Sequence, residues 1–384
     1  MRITALAGGV GGARFLRGLL HHLESVSGPD TAPHDLTIVA NTGDDITLFG
    51  LRVSPDIDTL LYTLGGGISE AQGWGRAGES HRVQSELAAY GAQPQWFGLG
   101  DLDFATHIVR SQWLGQGATL SEVTSRLASR WGLPDRGVRV MPMTDAPVET
   151  HVVVEDEQGQ RAIHFQEWWV RHGATLPAQR FVVAGLDRAA PAPGVLEAIR
   201  DADVILLPPS NPVVSIGIIL GIPGVRDALR GSRAPVVGVS PLIDGQPVRG
   251  HADACLAAIG VPSTSVAVAG LYEDFLDAWL IDPADAGIRL PRARVAIHQG
   301  PLLMRDVESA ADIAGAALAL ALSNGERRAA RPAREGAKRS PHRRGSRAAH
   351  EVGTVGRRSD CSLDAGEPHR PRVTLADRRP LWGL

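Results

Sequence analysis

The sequence predicts an α/β protein, with a mostly parallel sheet, helices on both faces, and an inserted helical and hairpin part. Three observations predict it. The N-terminus runs strand, glycine turn, helix, strand; apolar runs of strand length return after about residue 180 between helix-compatible segments; and the stretch separating the two sets has helical spacing. Continuous apolar strands alternating with helices are the pattern of a parallel sheet covered on both sides.

In chain order, "RITALAGG" is a short apolar strand, "VGGARFLRGLLHHL" has the apolar spacing of a helix, and "DLTIVANTGDD" is a second strand entering a loop. Residues 67–135 read as mostly helical through "RVQSELAAYG", "FATHIVRSQWLGQG" and "LSEVTSRLASRWG". "THVVVEDEQGQRAIHFQEWW" (150–169) is a hairpin of two alternating strands joined at a Gln-Gly turn. "FVVAGL" (181–186), "DVILLPPSNP" (203–212), "APVVGVSPL" (234–242) and "ARVAIHQ" (293–299) are the later strands expected in the parallel sheet. Residues 1–325 are therefore expected to form one Rossmann-like domain, with 67–175 inserted as its substrate-binding part. In 326–384 apolar periodicity stops and Arg, Pro, Gly, Ser and His dominate, so this tail is expected to stay disordered. Its arginine-rich composition is also what a GC-rich reading frame yields after a frameshift.

Charge is divided unevenly. Residues 326–384 hold 15 Lys+Arg against 7 Asp+Glu, leaving residues 1–325 with 24 against 35. An acidic body argues against nucleic-acid binding, which depends on neutralising many phosphates. The one lysine is Lys338, in the tail, which excludes phosphate-loop and Schiff-base lysine chemistry from the body. Cys255 and Cys361 are too few for a disulfide framework; Cys255 is expected to be a buried apolar side chain in a reducing cytoplasm. No run of about 18 apolar residues predicts a membrane span.

Two loops and one turn carry the chemistry. "AGGVGGARFLRGL" puts Gly8, Gly9, Gly11 and Gly12 where the first strand becomes the first helix, so the backbone can approach a phosphate that free N–H groups stabilise. It is not the dinucleotide fingerprint, because Arg14 stands where the third glycine should be. "NTGDDITLFGLRVSPDIDTLLYTLGG" (41–66) then sets Asp44, Asp45, Asp56 and Asp58 in a stretch with no lysine and one arginine. Clustered carboxylates repel and lose solvation, so they must be paired, protonated or bound to a cation. Mg²⁺, which takes one or two carboxylates with water and substrate phosphate, is the expected partner of Asp44 and Asp56, while Asp45 and Asp58 are expected to cap helices. "LLPPSNPVVSIG" ends a strand with Ser210, Asn211 and then Ser215, where open α/β sheets bind ligands. Trp74, Trp96 and Phe97 lie near flexible glycines and suit a flat aromatic substrate. Trp168 and Trp169 are expected in the core, and His107 and His164 as structural histidines.

Together "AGGVGGARFL", "NTGDD…SPDIDT…YTLGG", "GWG", "WFGLGDLDFATH", "HFQEWWVR" and "PSNPVVSIG" resemble the 2-phospho-L-lactate transferase family of coenzyme F420 biosynthesis, and most closely its actinobacterial branch. The resemblance covers about residues 1–320. It implies a transferase that joins the deazaflavin Fo to a phospho-three-carbon acid, lactyl or enolpyruvyl, carried on a guanosine diphosphate, with release of GMP. It implies Mg²⁺ on Asp44 and Asp56, the guanylyl diphosphate held by Gly9, Gly11, Gly12, Ser210, Asn211 and Ser215, and Fo held by Thr59, Trp96, Leu99, Gly100 and Asp101. The expected partners are these small molecules, not nucleic acid or membrane, and the expected assembly is a cytoplasmic homodimer. Two other readings compete: a dinucleotide-dependent oxidoreductase, whose glycine spacing and ribose acid are missing, and a nucleotide-binding regulator of the gluconeogenesis-factor type.

Overall fold

The computed structural model describes residues 1–26, 34–156, 159–287 and 295–329. Its strands are β1 (Arg2–Ala7), β2 (Asp35–Ala40), β3 (Ile46–Leu48), β4 (Leu51–Val53), β5 (Val138–Pro142), β6 (Glu149–Asp156), β7 (Gly159–His164), β8 (Ala178–Ala184), β9 (Val204–Leu207), β10 (Val236–Val239), β11 (Leu242–Ile243), β12 (Gln246–Pro247), β13 (Ala278–Ile281) and β14 (Ala296–Gln299). Seven of them form the central sheet in the order β14-β13-β10-β9-β1-β2-β5, every pairing parallel.

The helices are α1 (Gly9–Val26), α2 (Pro55–Leu64), α3 (Arg82–Ala89), α4 (Asp101–Gly115), α5 (Leu120–Arg130), α6 (Val195–Arg200), α7 (Ile216–Gly221), α8 (Val225–Gly231), α9 (Ala252–Ala258), α10 (Ser265–Gly270) and α11 (Val307–Ala329). Alternate residues of each strand point to opposite faces. On one face Ile3, Ala5, Ile38, Val140, Leu206 and Val237 are buried with side chains of α1, α2, α5 and α11 in the principal core. Gly18 of α1 lets that helix sit directly on α11, since a Cβ there would strike the backbone of Ala310. On the opposite face the Thr4 hydroxyl donates to the Ala198 carbonyl of α6 at 2.8 Å. Helices thus cover both faces, as expected.

Between β2 and β5 the chain adds the β3–β4 hairpin and helices α2 to α5, which answers to the helical stretch expected there. The hairpin and α4 build a small second core of Ile46, Leu48, Val53, Phe97, Leu99 and Phe104. β6 and β7 pair antiparallel as the expected hairpin, whose turn at 157–158 lies outside the described residues.

Three strand expectations need correction. "FVVAGL" belongs to β8, which pairs antiparallel with β6 in a separate three-stranded sheet; Gln179 and Arg180 in it are exposed, which a buried parallel strand does not allow. β5 and β13 were not expected, yet both join the central sheet. β5 is an edge strand, carrying exposed Arg139 and ending at Pro142. Of the 326–384 tail expected to be disordered, residues 326–329 instead continue α11, and 330–384, with Cys361, lie outside the described residues.

Candidate active site

β1 is the switch point of the sheet, because the chain passes from it to β2 on one side and later reaches β9 on the other. Ligands bind in the crevice outside the carboxyl ends at such a point. The loops that leave β1 and β9 meet there: the Gly8 amide donates to the Ser210 hydroxyl at 3.2 Å. A cleft of about 470 Å³ opens over this junction.

Glycines are required by closeness. A Cβ on Gly8 would collide with Asp56 and crowd the Ser215 hydroxyl, and Gly9 has φ 68°, a left-handed value that suits glycine. With Gly9 so placed, its amide donates to Asp56 Oδ1 at 2.6 Å. The start of a helix leaves amides without intrahelical acceptors. Those of Gly8 and Gly9 are spent inside the protein; Val10 and Gly11 line the cleft.

The four carboxylates of 41–66 are all buried and divide into two pairs. Asp44, from the loop after β2, and Asp56, in the first turn of α2, line the cleft. One side chain ties them together: Asn41 Nδ2 lies 3.3 Å from Asp44 Oδ1, 2.9 Å from Asp56 Oδ2 and 3.2 Å from the Val214 carbonyl. Its own Oδ1 accepts from the Gly43 amide at 3.0 Å, which fixes the orientation of the amide group. Gln166 Nε2 donates to Asp44 Oδ2 at 2.8 Å. Among the described residues no arginine or lysine pairs with either carboxylate. Burial first, then the charge of Asp56, drives the Asp44 carboxyl well above its ordinary range; burial pushes Asp56 up to about 6 against the bonds from Asn41 and Gly9.

Asp45 and Asp58 sit behind that pair. Asp45 accepts from the Ser54 hydroxyl at 2.8 Å and lies 3.4 Å from the Arg52 guanidinium; burial still raises it to about 7. Asp58 is held by both terminal nitrogens of Arg110, a side chain with no exposed surface, and one contact is 3.0 Å. The expected capping roles are therefore corrected. Asp58 is the fourth residue of α2, past the position where a carboxylate caps, and its partner is Arg110 of α4.

Of the other residues singled out in the sequence, Gly9, Gly11, Thr59, Ser210, Asn211 and Ser215 line the cleft. Gly12 does not; it is buried behind the turn against the Ser210 hydroxyl. Trp96, Leu99, Gly100 and Asp101 are also outside the cleft lining, for identifiable reasons. Trp96 and Leu99 pack on the second core, and Gly100 sits against Glu79. Asp101 accepts from the Val83 amide at 3.0 Å, at the start of α3. From that segment Phe97 and Gly98 face the cleft, joined by Trp74, Phe165 and Trp169. Trp168 is core as expected, with no exposed surface, whereas its neighbour Trp169 turns to the cleft, 5.3 Å from the Phe165 ring. His107 Nδ1 lies 3.1 Å from an Arg110 nitrogen, His164 Nε2 lies 3.1 Å from the Asp45 carbonyl with the His151 ring 5.5 Å away, and burial lowers each to about 4. Cys255 is buried, its thiol pushed up to about 12 by desolvation. Sequence reasoning missed Asn41 and Gln166, both inside quoted motifs in which only acids and aromatics were weighed. It also missed Arg110, whose tie to Asp58 spans 52 positions.

Fold and site define an α/β protein with a cleft at the switch point of a parallel sheet, where a glycine turn stands beside two buried carboxylates. The model of the 2-phospho-L-lactate transferase CofD family matches residues 3–299, and the chain belongs to that family, acting as a transferase in coenzyme F420 biosynthesis. It is 61% identical over 328 residues to a phosphoenolpyruvate transferase of Thermobifida fusca, covering 85% of this chain and 100% of the relative. It is 57% identical to one of Kitasatospora aureofaciens, covering 84% and 98%, and 50% identical to one of a Mycobacterium species, covering 84% and 99%. A crystal structure from Bacillus halodurans superposes with a TM-score of 0.53 at 17% identity, covering 83% of this chain and 99% of that one. A second, described as a member of the UPF0052 family, gives 0.52 at 16%, covering 82% and 98%; these two share the fold. No helix among the described residues is long and apolar enough to cross a membrane.

Proposed function

We propose that the chain transfers phosphoenolpyruvate from its guanylyl diphosphate to the terminal ribityl hydroxyl of the deazaflavin Fo, releasing GMP and forming dehydro-F420-0. The reading rests above all on the Asp44–Asp56 pair, buried on one shared amide at the switch-point cleft with no lysine or arginine against it among the described residues. The enolpyruvyl donor follows the names of the relatives, and the guanosine and Fo follow the motifs that mark the family.

The donor set fits Mg²⁺. Two carboxylates that burial and mutual repulsion destabilise are suited to a hard cation, and Mg²⁺ commonly uses one or two of them. Among the described residues no group of three or more His, Cys, Asp or Glu could hold a metal, so the remaining positions fall to water and substrate phosphate. When bound on Asp44 and Asp56, the ion supplies neutralisation of the diphosphate charge.

The chain's own groups do the rest. Val10 and Gly11 present helix-start amides to the diphosphate, beside Ser210 and Ser215. Trp74, Phe97, Phe165 and Trp169 offer flat apolar surface for the deazaflavin rings. The ribityl oxygen forms a bond to the phosphorus bearing the three-carbon acid, and the bond from that phosphorus to the GMP oxygen breaks. The hydroxyl proton passes to one of the two carboxylates, Asp44 or Asp56, which stand within the cleft as acceptors. Positioning and charge neutralisation supply most of the acceleration in such transfers.

The test combines the purified chain with Fo, Mg²⁺ and the guanylyl diphosphate of either enolpyruvate or lactate. Mass spectrometry should find dehydro-F420-0 from the first. Product from the lactyl donor alone would reverse the donor assignment, and none from either would refute the transfer.

A further inference from the structure

Arg14 is the residue that breaks the dinucleotide fingerprint, and no part of the reaction so far uses it. It projects from the first turns of α1 into the cleft, where Arg249, from the segment after β12, also faces. Among the described residues Arg14 makes no hydrogen bond or ion pair. Arg249 donates to the Gln72 carbonyl and lies against Gly73, where a Cβ would displace it; it too has no carboxylate partner among the described residues. Glu70, which lies within the field of Arg14, is committed to Arg17. The two guanidiniums line the same cleft, and partial burial, then the charge of Arg14, lower the Arg249 guanidinium below its ordinary range.

Two like charges, neither with a carboxylate partner among the described residues, line one cleft of a body that is otherwise acidic. Such an arrangement repels itself until an anion arrives, and a pair of guanidinium forks matches the planar oxygens of a carboxylate or the oxygens of a phosphate. The backbone contact at Gln72 and Gly73 holds Arg249 in place before the ligand comes, which lowers the ordering cost of binding.

We infer that Arg14 and Arg249 form an anion subsite of the cleft that grips an acidic group of the donor. This rests on the transferase reading above. The group is either the carboxylate of the three-carbon acid or a diphosphate oxygen, and the two are separable by ligand.

The experiment measures binding by calorimetry, with Mg²⁺ present, of GDP and of the guanylyl diphosphate of lactate, which carries the carboxylate that GDP lacks. Wild type, Arg14→Gln and Arg249→Gln are compared, with melting temperature as the control for folding. Arg14→Lys and Arg249→Lys serve where a glutamine variant fails to fold, since they keep the charge and remove the fork. Each substitution should weaken the lactyl ligand at least tenfold. Weakening of that ligand alone assigns the subsite to the carboxylate; equal weakening of GDP assigns it to phosphate. Affinities for both ligands unchanged from wild type overturn the subsite and leave the transferase standing. A wild-type chain that binds neither ligand overturns the transferase reading and the subsite with it.

Discussion

Replacing Arg110 with methionine should destabilise the fold more than a typical core substitution, and the cause is electrostatic. Arg110 has no exposed surface, and its two terminal nitrogens hold both oxygens of Asp58; Nη1 also lies 3.1 Å from His107 Nδ1 and 3.4 Å from the Arg52 carbonyl. Methionine fills much of the same volume, so the cavity contribution is small and what remains is an Asp58 carboxylate buried with no cation. Removing one partner of a buried pair costs about 3–5 kcal/mol, because an uncompensated charge is left in a poor solvent. In a domain of this size that corresponds to a fall in melting temperature of about 4–7 °C. The double variant Asp58→Asn, Arg110→Met removes the stranded charge and should recover more than half of the loss. Urea unfolding of the four proteins gives the coupling energy, expected at about 2 kcal/mol or more. An Arg110→Met protein that melts within 1 °C of wild type, or a double variant no better than the single, would refute this account of how the acidic stretch is neutralised.

Two further predictions follow from the same region. Burial lowers His107 to about 4 in the folded chain, against 6.5 when unfolded, so the unfolded state binds the extra proton. The stability tied to the neutral ring is fully present above pH 6.5 and is lost as pH falls toward 4. His107→Gln should therefore gain on wild type by about 1.4 kcal/mol per pH unit across that window, read from urea unfolding at several pH values; parallel curves for the two proteins would contradict it. Gly8→Ala places a methyl where Asp56 and Ser215 now sit, and Gly8 is not at a left-handed φ. Turnover should fall at least 100-fold with a melting temperature near that of wild type, and a variant of wild-type rate would show that Asp56 need not stay where the turn holds it.

Much of the fold was legible because the parallel strands are continuous apolar runs and the glycine turn marks where the first one stops. β8 deceived because four apolar residues, Phe181 to Ala184, look alike whether they lie in a parallel sheet or on one side of an antiparallel one. β5 escaped because an edge strand carries a charged residue and a proline that a central strand would not. The site was legible at Asp44 and Asp56, where unpaired acids beside a glycine turn announce themselves. Asp58 was not, because its role depends on Arg110, on another helix. Nor could spacing decide between neighbours: Phe97 lines the cleft where Trp96 does not, and Trp169 where Trp168 does not. Consecutive side chains leave the backbone in different directions, and only the packed structure fixes which of them faces the cleft.

Titration of Mg²⁺ into the chain saturated with GDP, followed by calorimetry in wild type, Asp44→Asn and Asp56→Asn, reaches the central claim most directly. One ion per chain should bind in the wild type, and each substitution should weaken it at least tenfold while the protein stays folded. Mg²⁺ binding of equal strength in all three proteins would mean that the two carboxylates serve something other than a metal.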